Sequence, residues 1–157
     1  MSVKMDFSEA RSCVLDWTAA KPSGRISIVE EPLSGGARIA CSPISAPSAC
    51  PFSLVVKNGS MQWHVGRAIV FDEVDGLYAR GSLRLTSEMT SLQLAALLDA
   101  LWDGEVSETI WEHRGKVIAS RGSITVRGTA FRIARHRRLS ILFVKADKKR
   151  DCSYENY

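Results

Sequence analysis

Long hydrophobic runs are scarce in this sequence. The N-terminal stretch MSVKMDFSEARSCVLDW contains no uninterrupted apolar segment of signal-peptide length. No other stretch approaches the roughly 20 apolar residues that a membrane-spanning helix needs. We therefore expect no membrane partner, and without an export signal we expect a cytoplasmic location.

Cysteine is also sparse, and its spacing follows no known pattern. The four cysteines form no C-x-x-C pair and match no zinc-ligand spacing; they are Cys13, Cys41, Cys50 and Cys152. Cys41 and Cys50 bracket a proline-rich loop, CSPISAPSAC, which a disulfide could close. Because the cytosol is reducing, two free thiols are the favoured interpretation.

Motifs for catalysis, metal binding and cofactor binding are missing as well. The acidic segment FDEVDG lacks the alternating spacing of an EF-hand loop, Gly115-Lys116 lacks the first glycine of a P-loop, and no G-x-S-x-G elbow occurs. Glu112 and His113 are adjacent on a predicted strand, so they would point to opposite faces. We predict no catalytic residue, no metal and no cofactor, and an enzyme assembled from scattered residues ranks third among the functions considered.

What the sequence does contain is the composition of an ordinary globular protein. Of its 157 residues, 45% are hydrophobic and 24% are charged, which argues against wholesale disorder. The length fits one domain, and no repeat or long linker divides the chain. We predict a single domain over residues 1–150 and a flexible C-terminal tail over residues 151–157.

The clearest local signal is the pair Asn58-Gly59 within FSLVVKNGSMQWHV. Both residue types tolerate the positive φ angles of a type I′ turn, which predicts a two-residue hairpin loop. If the two strands pair outward from Lys57 and Ser60, one face of the hairpin is wholly apolar. Shifting the register by one residue would mix polar and apolar side chains on both faces. The side chains predicted on that face are Phe52, Leu54, Val56, Met61, Trp63 and Val65.

Periodicity elsewhere predicts two helices and a series of strands. One helix is capped by Asp6 or Ser8 and runs to about Trp17, and a second over residues 90–103 ends at Gly104. The strands predicted before the second helix are RISIVEE, ARIACS, the two arms of the hairpin, and two more around the DEVD turn.

A C-terminal meander of four strands is predicted after the second helix. Its strands are VSETIWEH, KVIAS, SITVRGTAFRIA and LSILFVKA, linked by RGK, RGS and RHRR, with a bulge near Gly128 in the third. The fold class is therefore α+β, with a mostly antiparallel sheet packed by one or two helices.

Charge is distributed unevenly along the chain. Residues 1–113 hold 9 lysines and arginines against 14 acidic residues, a balance of −5, whereas residues 114–150 hold 12 basic residues against Asp147 alone, a balance of +11. The net charge of the whole chain is only +4. An asymmetry of this kind bears on binding partners rather than on fold.

We predict that the C-terminal meander presents a basic, partner-binding face, because arginine suits bidentate contacts with carboxylates and phosphates. The candidate residues are four near one strand end, Arg132, Arg135, Arg137 and Arg138, and two on the adjoining sheet face, Arg127 and Lys145. Two alternatives stay open. The basic segments could be a solvated loop and tail, or they could pair internally with the acidic segments DEVD and DGEVSE.

The leading functional hypothesis is a small, non-enzymatic cytoplasmic protein that binds an acidic protein partner, in a neutralising (immunity) or an escort (chaperone) role. The alternative is a nucleic-acid-binding protein that contacts phosphates through the same face, although the meander lacks the interleaved aromatics of a stacking surface. Homo-oligomerisation through an exposed sheet edge is a further possibility.

Overall fold

The computed structural model describes residues 6–58, 60–72, 91–136 and 145–157. These residues form two helices and two antiparallel sheets, so the predicted α+β class is confirmed. The helices are α1 (Phe7–Ala19) and α2 (Ser91–Trp102). Neither is long and apolar enough to cross a membrane, and no other helix occurs in the part of the chain that is described.

The first sheet has five strands whose spatial order follows the chain. They are β1 (Ile26–Leu33), β2 (Gly36–Pro43), β3 (Phe52–Lys57), β4 (Ser60–Val65) and β5 (Ile69–Asp72). The second sheet has four strands, which are β6 (Val106–His113), β7 (Lys116–Val126), β8 (Thr129–His136) and β9 (Lys148–Ser153). Their spatial order is β8-β7-β6-β9, so the C-terminal strand β9 pairs with β6 at one side of the sheet.

The first helix begins where the sequence predicts. Asp6 has extended backbone angles, and its carboxylate accepts a hydrogen bond of 2.8 Å from the backbone N–H of Glu9. This bond satisfies one of the N–H groups that a helix leaves unpaired at its start. Ala10 and Val14, one turn apart, are buried and turn α1 toward the core.

The second helix ends in a glycine-dependent motif, also as predicted. Gly104 takes a φ of 74°, its N–H donates to the Leu101 carbonyl at 3.3 Å, and the N–H of Glu105 donates to the Ala100 carbonyl at 3.0 Å. This is the bonding pattern of a Schellman C-cap. The predicted capping residue at the other end, Thr90, lies outside the described residues.

The predicted hairpin is confirmed residue by residue. Lys57 pairs with Ser60 and Phe52 pairs with Val65, which is the register that the apolar face requires. Asn58 takes a φ of 52°, as the first position of the turn demands. Leu54 and Trp63, which face each other across the pair, are almost completely buried.

The strand boundaries predicted for the C-terminal region are partly wrong. The expected turn at Arg121-Gly122-Ser123 does not form, because β7 continues through it, and the expected bulge near Gly128 is instead the tight turn between β7 and β8. Both turn residues there, Arg127 and Gly128, have positive φ angles of 49° and 79°. The two expected strands over residues 77–85 and 139–146 lie wholly or mostly outside the described residues.

The segment expected to be a flexible tail is instead built into the fold. Residues Lys148–Ser153 form β9, and Glu155 forms an isolated parallel bridge with Ala49. The Tyr157 side chain is only 7% exposed, its ring stacks on Trp102 at 4.9 Å, and its hydroxyl donates to the Cys50 carbonyl at 2.5 Å. The last residues therefore cross from β6 to the loop before β3 and to the end of α2.

A single cluster of buried side chains joins both helices and both sheets. It includes Val14 of α1, Leu54 of the first sheet, Leu97 of α2 and Ile124 of the second sheet. The two sheets pack tightly at Gly122, where an added Cβ would lie 2.3 Å from Cγ1 of Ile69. The core therefore fixes which face of the second sheet points inward and which is left to solvent.

Candidate functional site

Strand pairing sorts the side chains of the second sheet into two faces. Val106, Ile110 and Ile124 point inward and are buried. The alternate positions point away from the core. We call this surface the outer face; its residues are Ser107, Thr109, Trp111, Arg121, Ser123, Arg132, Lys149, Asp151 and Ser153.

Three cations on the outer face are exposed and have no carboxylate partner within the described residues: Arg121, Arg132 and Lys149. Two of them flank one aromatic ring. The Arg121 guanidinium lies 5.9 Å from the centre of the Trp111 ring, and the Lys149 ammonium lies 6.0 Å from it. These separations are within the range of cation–π attraction, which holds both charges beside a half-buried indole.

A shallow depression of about 350 Å³ lies on the same face, beside the tryptophan. Two arginines, two acidic residues and four hydroxyl-bearing residues line it together with Gly122 and Cys152: Arg121, Arg132, Asp151, the inward-pointing Glu108, Ser107, Thr109, Ser123 and Ser153. One Asp151 oxygen accepts a hydrogen bond of 2.8 Å from the Thr109 hydroxyl. The depression therefore offers guanidinium and hydroxyl donors, with a single outer-face carboxylate that is already engaged.

The structure brings only part of the predicted site together. Arg132 lies on the outer face, whereas Arg127 lies in the β7–β8 turn rather than on the sheet face, near Asp103 and Glu105 after α2. Lys145 is exposed and precedes β9; its carbonyl oxygen lies 3.0 Å from Nδ1 of His113.

The side chains of the other three predicted arginines lie outside the described part of the structure. Arg135 pairs through its backbone with Ser120 in β8, but its side chain lies outside the described part of the structure. Arg137 and Arg138 lie wholly outside the described residues. Their proposed part in a basic face therefore stays a prediction.

Sequence reasoning missed three members of the outer face. The sequence predicts a turn at Arg121, and the predicted basic face includes neither Lys149 nor Trp111. The sequence does contain a signal that Arg121 lies in a strand, since Arg121, Ser123 and Thr125 alternate with residues that the core buries. The addition of β9 beside β6 has no comparable signal, because it is a long-range pairing of a charged strand.

Other charges of the C-terminal region pair internally, but with acidic residues outside the DEVD and DGEVSE segments that one alternative named. Arg150 donates to the buried carboxylate of Glu112, and Nδ1 of His113 lies 3.7 Å from Asp147. Arg11 and Glu30 form a separate pair between α1 and β1, and this contact lowers the pKa of the Glu30 carboxyl. Internal pairing therefore accounts for Arg150 but not for the three cations of the outer face.

A second buried carboxylate, Glu108 of β6, is a structural link between the sheets. Its oxygens accept hydrogen bonds from the backbone N–H groups of Arg67 (2.7 Å) and Ala68 (2.8 Å), in the turn between β4 and β5. The Tyr154 hydroxyl donates to the same carboxylate, and burial together with this bond raises the pKa of that phenol. All three donors belong to the protein, so Glu108 fastens the first sheet and the C-terminal segment to β6.

The four cysteines are free thiols in the structure. Burial raises the pKa of the Cys41 thiol to about 12 and also raises that of Cys50. Thiols held protonated in this way are poor nucleophiles and poor metal ligands. No group of three or more histidine, cysteine or acidic side chains in the described ranges could hold a metal ion.

Comparison of the chain with protein-family models, with curated proteins and with solved structures found no match.

Proposed function

We propose that this chain is a small, non-enzymatic binding protein that docks an acidic protein partner on the outer face of its second sheet. The observation that carries the proposal is the grouping of Arg121, Arg132 and Lys149 on one exposed face, without carboxylate partners among the described residues. Unpaired cations of this kind attract and orient an oppositely charged surface. Neutralising or escorting the partner are the roles that such docking would serve.

The free thiols support a cytoplasmic setting for this role. Cys41 and Cys50 stand at the two ends of one loop and are not bonded to each other. Reduced cysteines are the rule in the cytosol, whereas secreted domains of this size commonly use disulfides.

Two features favour a protein over a nucleic acid as the partner. Asp151 lies among the cations and would repel a phosphate backbone, whereas a protein surface can offer it a donor. Trp111 is the only aromatic residue on the outer face as described, and a single-stranded nucleic acid usually stacks its bases on several rings. A tryptophan beside an arginine is, in contrast, a common centre of protein interfaces.

Nucleic-acid binding is the second candidate, and one observation favours it. The Trp111 ring has a cation at about 6 Å on two sides, so a base could stack on the indole while Arg121 and Lys149 contact the neighbouring phosphates. This arrangement would bind single strands with little preference for sequence.

The test uses the full chain and two triple variants with equal changes in net charge. The face variant carries Arg121→Glu, Arg132→Glu and Lys149→Glu. The matched control carries Arg25→Glu, Lys57→Glu and Arg67→Glu, at exposed positions away from the outer face. Proteins retained by the immobilised wild-type chain from an extract of its native host are identified, purified and titrated by calorimetry against all three chains.

We expect a saturable complex with the wild type and the control, and at least about 30-fold weaker binding by the face variant, the factor for losing one close charge pair. A purified partner that binds both variants equally, or no protein lost specifically from the face variant, would contradict the proposal. Mixed RNA and DNA oligonucleotides are titrated in parallel at about 50 and 200 mM salt. Binding that falls steeply with salt and disappears in the face variant would replace the protein partner with a nucleic acid.

A further inference from the structure

The depression on the outer face gives the proposed docking surface a specific chemistry. Arg121 and Arg132 both line it, and neither has a hydrogen-bond or ion-pair partner in the described part of the chain. Each guanidinium is a planar fork that can bind a carboxylate through two parallel N–H···O bonds. Each of the two arginines is therefore free to bind one carboxylate through two N–H groups.

The register of the sheet sets the spacing of these two arginines. Arg132 of β8 faces Ser123 of β7, and Arg121 stands two residues before Ser123 on the same face. Arg121 and Arg132 are therefore diagonal neighbours, for which backbone separations of about 7–8 Å are typical. Residues i and i+2 of an extended chain are separated by about 6.6–6.8 Å and point to one side, which nearly matches this distance.

The charge of the depression favours carboxylates over a phosphoryl group. The Asp151 carboxylate lies on the same surface as the two arginines, with one oxygen bound to the Thr109 hydroxyl. A phosphoryl group would place up to two negative charges on one group near Asp151, whereas two carboxylates spread that charge over two groups. Two separate carboxylates also distribute one negative charge to each guanidinium.

We propose that the depression recognises an extended acidic segment of the partner, with two carboxylate side chains two residues apart, one bound at Arg121 and the other at Arg132. This inference rests on the proposed function, because it names the group through which the acidic partner docks. The hydroxyls of Ser107, Ser123 and Ser153 surround the arginines and supply further donors to the carboxylates.

The experiment uses defined peptides with the full chain labelled with ¹⁵N. The probe is N-acetyl-Glu-Thr-Glu-methylamide, and the comparison peptides are the neutral Gln-Thr-Gln analogue, the singly charged Glu-Thr-Gln analogue and N-acetyl-phosphoserine-methylamide. Binding is followed by NMR through the arginine Nε–H signals and the backbone amides of β6 to β9. We expect saturable shifts of the Arg121 and Arg132 signals with the Glu-Thr-Glu probe, weaker binding of Glu-Thr-Gln, and none with Gln-Thr-Gln.

Charge-conserving variants separate bidentate recognition from general attraction. We expect Arg121→Lys and Arg132→Lys each to weaken binding of the Glu-Thr-Glu probe about tenfold, the factor for one lost charge-assisted bond. Arg25→Lys, at an exposed position just before β1 and away from the outer face, is the matched control and should leave the affinity unchanged. Peptides that bind the two lysine variants as well as wild type, or phosphoserine binding more tightly than Glu-Thr-Glu, would overturn the inference.

The failure of this inference is distinguishable from failure of the proposed function. If the face variant loses the purified partner but the lysine variants keep it, docking on the outer face stands and the paired-carboxylate recognition is wrong. If the face variant also keeps the partner, the docking surface itself is wrong.

Discussion

At the scale of single residues, burial determines what the cysteines can do. Cys41 and Cys50 are 1% and 0% exposed, and burial raises the pKa of Cys41 to about 12 from an ordinary 9.0. At pH 8 the reactive thiolate fraction of Cys41 is therefore about 1,000-fold lower than that of an ordinary thiol.

We expect iodoacetamide at pH 8 to modify Cys13 and Cys152 in the native protein, because both are partly exposed, and to leave Cys41 and Cys50 unmodified. Mass spectrometry of the labelled peptides gives the result. Unfolding in urea without a reductant should expose all four thiols. Two cysteines that stay unlabelled after unfolding would indicate the disulfide that the loop CSPISAPSAC could accommodate.

Glu108 is the residue through which hydrogen bonds link β6 to the first sheet. We expect Glu108→Gln to lower the free energy of unfolding by about 2 kcal/mol, since the amide nitrogen cannot accept a bond and one part-buried N–H, of Arg67 or Ala68, loses its partner. Urea denaturation measures the change. Glu105→Gln, at an exposed position just before β6, should cost less than about 0.5 kcal/mol. Equal costs for the two variants would contradict this assignment.

At the scale of elements, the three Arg-Gly pairs within the described residues show where local sequence stops determining structure. The pairs at 114–115 and 127–128 form tight turns, and all four residues take positive φ angles. The pair Arg121-Gly122 lies in the middle of β7. The sequence predicts turns at 114–115 and 121–122 and a bulge near Gly128. Long-range packing places the pair Arg121-Gly122 in a strand instead, because Gly122 packs so closely against Ile69 of the first sheet that a side chain would not fit.

This packing can be tested directly at Gly122. We expect Gly122→Ala to lower the free energy of unfolding by about 2 kcal/mol, because the new methyl group would lie 2.3 Å from Cγ1 of the buried Ile69. Ser123→Ala, at the next position on the opposite face, is the control and should cost less than about 0.5 kcal/mol. In the Gly122→Ala background, Ile69→Ala should lower the free energy of unfolding by less than it does in the wild type. If the losses caused by the two substitutions simply add, the predicted contact between the two side chains is wrong.

The candidate site was less predictable than the elements that carry it. Alternation and turn chemistry are local, so they predicted α1, the β3–β4 hairpin and β6 closely. Tertiary contacts determine the two features that form the outer face. The strand β7 continues through Arg121, and β9 pairs with β6, which brings Lys149 beside Trp111. The distribution of charge along the sequence predicts which region is basic. The pairing register of the second sheet is needed to identify which of its cations lie on the same face.

At the scale of the whole molecule, the C-terminal segment closes the core. Tyr154 bonds to Glu108 of β6, and Tyr157 stacks on Trp102 of α2 while its hydroxyl bonds to the Cys50 carbonyl. One short segment therefore contacts the second sheet, the second helix and the loop before β3. The sequence of this segment, CSYENY, has the polarity of a solvated tail, and its two tyrosines become structural only because the rest of the fold supplies partners for both rings and both hydroxyls.

These two tyrosines predict how the stability of the whole molecule depends on pH. Burial raises the pKa of Tyr154 and of Tyr157 in the folded protein above the ordinary value of 10. Above pH 10 the unfolded chain therefore releases protons that the folded chain retains, so the free energy of unfolding falls as pH rises through this range. Below pH 10 both states hold the protons and the tyrosines contribute no pH dependence.

Urea denaturation at pH 8, 9, 10 and 11 should therefore show a stability that declines most steeply above pH 10. Tyr154→Phe removes one of the two phenols whose pKa is raised in the described structure. We therefore expect the variant to be less stable at pH 8, because the bond to Glu108 is lost, and its stability to decline less steeply between pH 10 and 11 than that of the wild type. If the free energy of unfolding of the variant falls as steeply with pH as that of the wild type, Tyr154 ionises freely in the folded state. The C-terminal segment would then not be held against β6 in solution as the Glu108 contact requires, and β9, which carries Lys149 onto the outer face, would lose its anchor.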